Sequence, residues 1–257
     1  MRPVTLSERL RTVACMVTAG NTVCDVGCDH GFVPVYLVQQ SISPRVLAMD
    51  LREGPLRAAR EHVAAYGLED RIETRLSDGL HNYRSGEADT LVCAGMGGGL
   101  MIRILDEERE KTASFRELVL QPQSEIERFR RYLRESGYLI QDEEILEEDG
   151  KFYQVIRAAD TYNRECGKEA RTDGMFGGTS GHGEQKDEKL CKLKDRYGPV
   201  LLQKKTTVFF DFLDREAAVY EEILIHLRGQ GLSDEKRKAR FAQVEALLAD
   251  NRQARAF

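Results

Sequence analysis

Three aspartates carry the chemistry this sequence makes available, and each stands at the end of an apolar run. Asp25 lies in Val23-Cys24-Asp25-Val26-Gly27-Cys28-Asp29-His30-Gly31, where a strand-like segment passes into a glycine-containing turn. Asp50 ends Val46-Leu47-Ala48-Met49-Asp50, and Asp78 sits between Ser77 and Gly79 after a further apolar run. A carboxylate beside the first turn suits a cationic amino-acid group and would repel a diphosphate. Gly27 removes a Cβ from the path of a ligand approaching the backbone. An acidic residue about 20 positions beyond such a turn is placed to accept both hydroxyls of a ribose. Asp78 is placed to accept from an adenine amino group. Together the three address the amino-acid, sugar and base parts of one sulfonium nucleoside, S-adenosylmethionine. Asp50 alone also suits NAD, but the first turn lacks the G-x-G-x-x-G run that cradles a dinucleotide's phosphates.

A fourth apolar run ends in Ala94-Gly95-Met96-Gly97-Gly98-Gly99, a turn small enough for close approach of a flat base or of the cofactor sulfonium. Ala94, Gly95, Met96 and Gly79 are expected at the cofactor, and Gly97 and Gly98 at the substrate. The chain has no Asn/Asp-Pro-Pro-aromatic tetrapeptide of the kind found in methylases of exocyclic adenine nitrogens. Gln121-Pro122 follows a fifth run and is expected on the same edge, lining the base pocket. Arg9, with Arg11, is expected at the mouth, able to meet a cofactor carboxylate or an RNA phosphate.

These residues need a scaffold that brings strand ends together. Apolar runs of strand length occur at Thr22–Val26, Arg45–Met49, Ile72–Leu76, Thr90–Ala94 and Glu117–Leu120. Helical stretches separate them at Val33–Gln40, Gly54–Tyr66, Gly99–Asp106 and Glu125–Glu135, behind a lead-in helix in Leu6–Met16. Strict alternation of this kind predicts an α/β fold, a Rossmann-like parallel sheet with helices on both faces. Gly137–Leu146 and Lys151–Arg157 flank an acidic turn and read as a hairpin that completes seven strands. The sequence thus predicts a catalytic domain over 1–158, a flexible glycine-rich linker over 159–196, and an antiparallel, coiled-coil-like α-helical hairpin over 197–257. That hairpin either packs or dimerises, or grips substrate through Lys204, Lys205 and the run Lys236 to Arg240.

The bulk composition excludes several classes. With 43 acidic and 38 basic residues the formal charge is −5, so any nucleic-acid contact must come from local patches. Six scattered cysteines and five histidines without ligand spacing predict free thiols and no metal. No apolar run approaches the length of a membrane span, and Arg9 and Arg11 interrupt any leader, so a cytoplasmic protein without an obligate protein partner is expected.

Several stretches, taken together, resemble one family. They are Leu6-Ser7-Glu8-Arg9-Leu10, Asp25 to Gly31, Asp78-Gly79-Leu80, Ala94-Gly95-Met96-Gly97-Gly98, Leu120-Gln121-Pro122 and Ile145 to Gly150. In these the chain is similar to the bacterial tRNA (adenine-22-N1)-methyltransferases. The resemblance implies methyl transfer from S-adenosylmethionine to N1 of an adenine in the D-loop region of tRNA. Asp29 then becomes the candidate catalytic residue, accepting from the adenine N6 amino group, or else it orients His30 and the turn. His30 donates to the cofactor carboxylate or the base, or is structural. Two other readings stay open, a small-molecule methyltransferase of the same fold and a non-catalytic nucleotide- or RNA-binding module.

Overall fold

The computed structural model describes residues 3–160, 182–230 and 234–257. The chain divides into two units, Met1–Gly177 and Gly178–Phe257.

The first unit is built on seven strands, β1 (Val23–Val26), β2 (Val46–Asp50), β3 (Ile72–Leu76), β4 (Thr90–Met96), β5 (Glu117–Pro122), β6 (Tyr138–Glu148) and β7 (Lys151–Asp160), in the order β3-β2-β1-β4-β5-β7-β6. The first five are parallel, and β7 runs antiparallel between β5 and β6. Every residue of β1 and β2 is buried, as expected of parallel strands covered on both faces. Alternate residues feed two cores. Val23, Val46 and Val92 face α2 (Phe32–Gln39) and α3 (Glu53–Ala65), while Cys24, Leu47 and Leu91 face α4 (Gly98–Glu107) and α6 (Ile126–Glu135). A short α5 (Arg109–Thr112) joins α4 to β5. Ahead of β1, α1 (Glu8–Cys15) is capped by Ser7, whose hydroxyl accepts from the Leu10 N–H.

Register sets the site. Val26 lies opposite Met49 on β2 and Cys93 on β4, so the strands end together along one edge. The Gly27 and Cys28 N–H groups donate to the Met49 carbonyl at 2.8 and 2.9 Å, after which the chain leaves the sheet. Gly27 (φ 77°), Asp29 (φ 50°) and Gly31 (φ 73°) all take left-handed conformations in that exit. Gly31 caps α2, and a Cβ there would lie 3.0 Å from the Ala59 Cβ, so its smallness also lets α2 approach α3. Far from this edge, Arg130 of α6 is fully buried and donates to Glu143 of β6 at 2.7 Å and Gln154 of β7 at 2.5 Å, tying the helix to the final hairpin.

The second unit contains α7 (His182–Tyr197), α8 (Leu201–Lys204), α9 (Thr207–Gly229) and α10 (Glu235–Ala256). Ion pairs Asp214–Arg255, Glu221–Arg252 and Arg228–Glu245 run in opposite senses along α9 and α10, which are therefore antiparallel. Leu224, Val244 and Leu248 form the seam. Glu216 of α9 accepts from Tyr197, Tyr220, Asn251 and Arg196, which fastens the end of α7 to the hairpin. Burial pushes the Glu216 carboxyl up, yet these donors and the Arg196 charge hold it below its ordinary value.

The linker expectation over 159–196 needs correcting at both ends, and its middle, 161–181, lies outside the described residues. Ala159 and Asp160 finish β7, and 182–196 belong to α7. The buried Leu193 and Tyr197, four residues apart on α7, explain the helix, because their shared face packs inside the unit.

Candidate active site

A cleft of about 500 Å³ opens at the carboxyl ends of β1, β2 and β4. That is the edge on which open α/β sheets bind ligands. Asp25, Asp50 and Asp78 all line it, together with Arg9, Gly27, Asp29, His30, Gly79, Ala94, Gly95 and Met96.

The three carboxylates differ in surroundings. Asp25 is 4% exposed, and none of the described residues donates to it. Burial, reinforced by the neighbouring Asp50 charge, raises its pKa to about 7. Such a group is stabilised by a cation brought into the cleft. Asp50 accepts the Asp29 N–H at 3.2 Å on one oxygen and the Arg52 N–H at 2.9 Å on the other, which fixes the plane of the carboxylate and leaves lone pairs for hydroxyls. Asp78 is half exposed, 3.4 Å from Arg103. Asp29 and His30 point outward from the turn, with His30 Nε2 3.7 Å from Asp29 Oδ1.

Arg9 is the most restrained side chain of the rim. Its Nη1 donates to Gln121 Oε1 at 2.7 Å, its guanidinium lies 5.4 Å from the Tyr153 ring centre, and its backbone N–H donates to Glu148 at 3.2 Å. The same Gln121 oxygen accepts the Gly95 N–H at 3.1 Å.

Four expected substrate residues fall elsewhere. Gln121 and Pro122 are buried behind the cleft, where Gln121 props Arg9 and the β4 turn instead of meeting a base. Gly98 opens α4 as a packing glycine, since a Cβ there would lie 2.7 Å from the Ser124 carbonyl oxygen. Gly97 is likewise set against Ser124, whose Oγ would be 3.1 Å from an added Cβ. The close backbone contact between α4 and the chain after β5 demands glycine at Gly98, whereas at Gly97 it is the Ser124 side chain that would have to give. Sequence reasoning missed Phe32, Leu51, Leu100, Arg103 and Gln123 on the cleft walls. Leu51 carried a usable signal, being a leucine directly after an acidic strand end, and it is 59% exposed.

S-adenosylmethionine fits the residues present. The cleft volume lies in the usual ligand range of about 300–1,000 Å³. No side chain of the described residues donates to Asp25, and Gly27 takes the left-handed conformation (φ 77°) that glycine adopts without strain, which leaves its backbone bare towards the cleft. Among the described residues no three His, Cys, Asp or Glu side chains gather as metal donors.

Strand order, the single reversed strand and a carboxylate-lined cleft at the strand ends define a Rossmann-like class I methyltransferase. Residues 6–156 match the family described as methyltransferase domain. The chain is 33% identical over 228 residues to the tRNA (adenine(22)-N(1))-methyltransferase of Bacillus subtilis, covering 87% of each chain. It therefore belongs to the tRNA (adenine(22)-N(1))-methyltransferase family. The crystal structure of the Bacillus subtilis m1A22 tRNA methyltransferase matches with TM-score 0.77 and 29% identity, over 98% of this chain and 99% of that one. A Streptococcus pneumoniae putative tRNA (m1A22) methyltransferase in complex with S-adenosyl-L-methionine matches with TM-score 0.76 and 28% identity, over 98% and 100%.

Proposed function

We propose that this protein transfers a methyl group from S-adenosylmethionine to N1 of adenine 22 of tRNA, and that it works in the cytoplasm, where that substrate is. The observation that carries the reading is the buried Asp25, to which none of the described residues donates, sharing one cleft with Asp50 and Asp78 in a chain of this family. No helix among the described residues is long and apolar enough to cross a membrane.

S-adenosylmethionine supplies an electrophilic methyl on a positively charged sulfur. Asp25 takes the ammonium of the amino-acid moiety, Asp50 the ribose hydroxyls and Asp78 the cofactor's adenine amino group. Gly27, Gly79, Ala94, Gly95 and Met96 give close walls, while Arg9 and His30 offer donors to the carboxylate. The N1 of the target adenine is unprotonated at neutral pH, so its lone pair forms the new N–C bond as the C–S bond breaks towards sulfur. A strong base is unnecessary, and the positive charge passes from sulfur to the adenine ring. Alignment of base and methyl therefore carries most of the acceleration. Asp29 accepts from the target N6 amino group and stabilises the charge arriving on the ring. The helical unit grips the tRNA through the basic residues of α10.

Incubating the purified protein with labelled S-adenosylmethionine and total tRNA, then digesting to nucleosides, tests the reading. 1-Methyladenosine is the expected labelled product, and any other product overturns it. Asp29→Ala separates an enzyme from a binding module, because an enzyme loses turnover while cofactor binding persists.

A further inference from the structure

The cleft poses a specific problem for a substrate that is a flat base. Its β4 turn, Ala94 to Gly99, contains no ring that could hold a base by its face. Of all the residues lining the cleft, only His30 and Phe32 carry aromatic rings. Phe32 is the first residue of α2 and is 38% exposed, although most large apolar side chains of this unit are buried. Its ring is not loose. It stacks on His62 of α3, with centroids 4.6 Å apart and planes 29° apart. His62 is in turn held by its Nδ1, 2.8 Å from the His30 carbonyl oxygen. Of the stacked pair only Phe32 lines the cleft, and His62 backs it.

We propose that Phe32, braced by His62, is the face on which the base to be methylated stacks. The inference rests on the RNA-methylation reading above and identifies how that site grips its substrate. Asp29 and Phe32 lie three residues apart, either side of the left-handed Gly31, and both line the cleft. A base held by its N6 edge at Asp29 and by its ring at Phe32 has two constraints that fix a plane. The cofactor's three polar parts are already met by Asp25, Asp50 and Asp78, so Phe32 is free for the second ligand. A ring pre-set by a partner loses little freedom when a base lands on it. Phe32 is then a substrate contact, and His62 is a positioning residue acting through it.

Steady-state methylation of unmodified tRNA by the full chain, with calorimetric titration of S-adenosylmethionine, tests this. Stacking of one base on an aromatic ring is worth about 1–3 kcal/mol, or about five- to 150-fold. Phe32→Leu is expected to lower kcat/KM for tRNA within that range, with cofactor affinity and thermal midpoint unchanged. Phe32→Tyr and Phe32→Trp should retain most of the activity. His62→Ala should give a smaller loss that His62→Tyr, which restores a ring, recovers. Undiminished kcat/KM in Phe32→Leu overturns the proposal, as does an equal loss in the Tyr and Trp variants or a proportional loss of cofactor affinity. Wild-type protein that forms no 1-methyladenosine fails the functional reading itself, an outcome seen before any variant is compared.

Discussion

Glu117 at the amino end of β5 and Asp25 near the carboxyl end of β1 are both buried carboxylates of one sheet, 6% and 4% exposed. Glu117 accepts from the Thr18 N–H (3.0 Å), the Thr18 hydroxyl (2.5 Å) and the Thr90 hydroxyl (2.9 Å). Asp25 accepts from none of the described residues. Glu143, on the sheet's far side, goes further than Glu117 and meets a buried arginine. A buried carboxylate whose partners are internal holds the fold together. One whose partner is missing costs stability and is tolerated where a ligand brings the partner.

That contrast can be broken by removing carboxylates of each kind. Glu143→Ala, which leaves Arg130 charged and buried, is expected to cost about 3–5 kcal/mol in urea unfolding, with cofactor affinity of the folded fraction unchanged. Asp25→Asn should do the reverse. Affinity for S-adenosylmethionine falls by about 2–3 kcal/mol in calorimetry, while the thermal midpoint holds or rises. A midpoint that dropped in Asp25→Asn would place Asp25 with Glu117 and end the distinction. Gly27→Ala sharpens it at the backbone. A left-handed alanine costs about 1–2 kcal/mol of folding stability, and the added methyl also meets Met96 Cε. A second substitution, Met96→Ala, should recover only the contact part.

The smallest effect is in pH. The folded chain keeps a proton on Asp25 up to about 7, well above the ordinary carboxylate value. Without ligand, this group's contribution to stability is full in acid and is lost as pH rises through about 7. Binding of a cationic cofactor requires the ionised form, so affinity should rise with pH through about 7 and fall by at most about tenfold per unit below it. Asp25→Asn should flatten that profile.

Much of the site was legible because strand ends announce themselves. An apolar run closed by an aspartate or a glycine marks the sheet edge, and Asp25, Asp50, Asp78 and the β4 turn were all read in this way. What the sequence withheld was the direction of side chains beyond the strand. Gln121, at the end of an apolar run, has the sequence signature of a pocket wall, but its amide turns inward to Arg9 and Gly95. Gly97 and Gly98 suggest room for a base, yet the space they leave faces Ser124 and, at Gly98, Glu125 and Phe129 as well. Phe32 was invisible as a site residue because it sits in a uniformly apolar helix, Phe-Val-Pro-Val-Tyr-Leu-Val, where only burial separates the exposed ring from its neighbours. In the second unit, α7 was hidden by the glycines that precede it and by a strongly charged composition.

Arg9 reaches its final position only through Gln121, Glu148 and Tyr153, more than 110 residues away along the chain. During synthesis the first turn and its aspartates leave the ribosome early, but the latch for the amino-terminal helix does not exist until β7 has emerged and inserted beside β5. Contacts of such long sequence separation form late and slowly. A nascent chain thus carries the three cleft-lining aspartates well before it can close the cleft around them, and maturation of the rim waits on the last strand made.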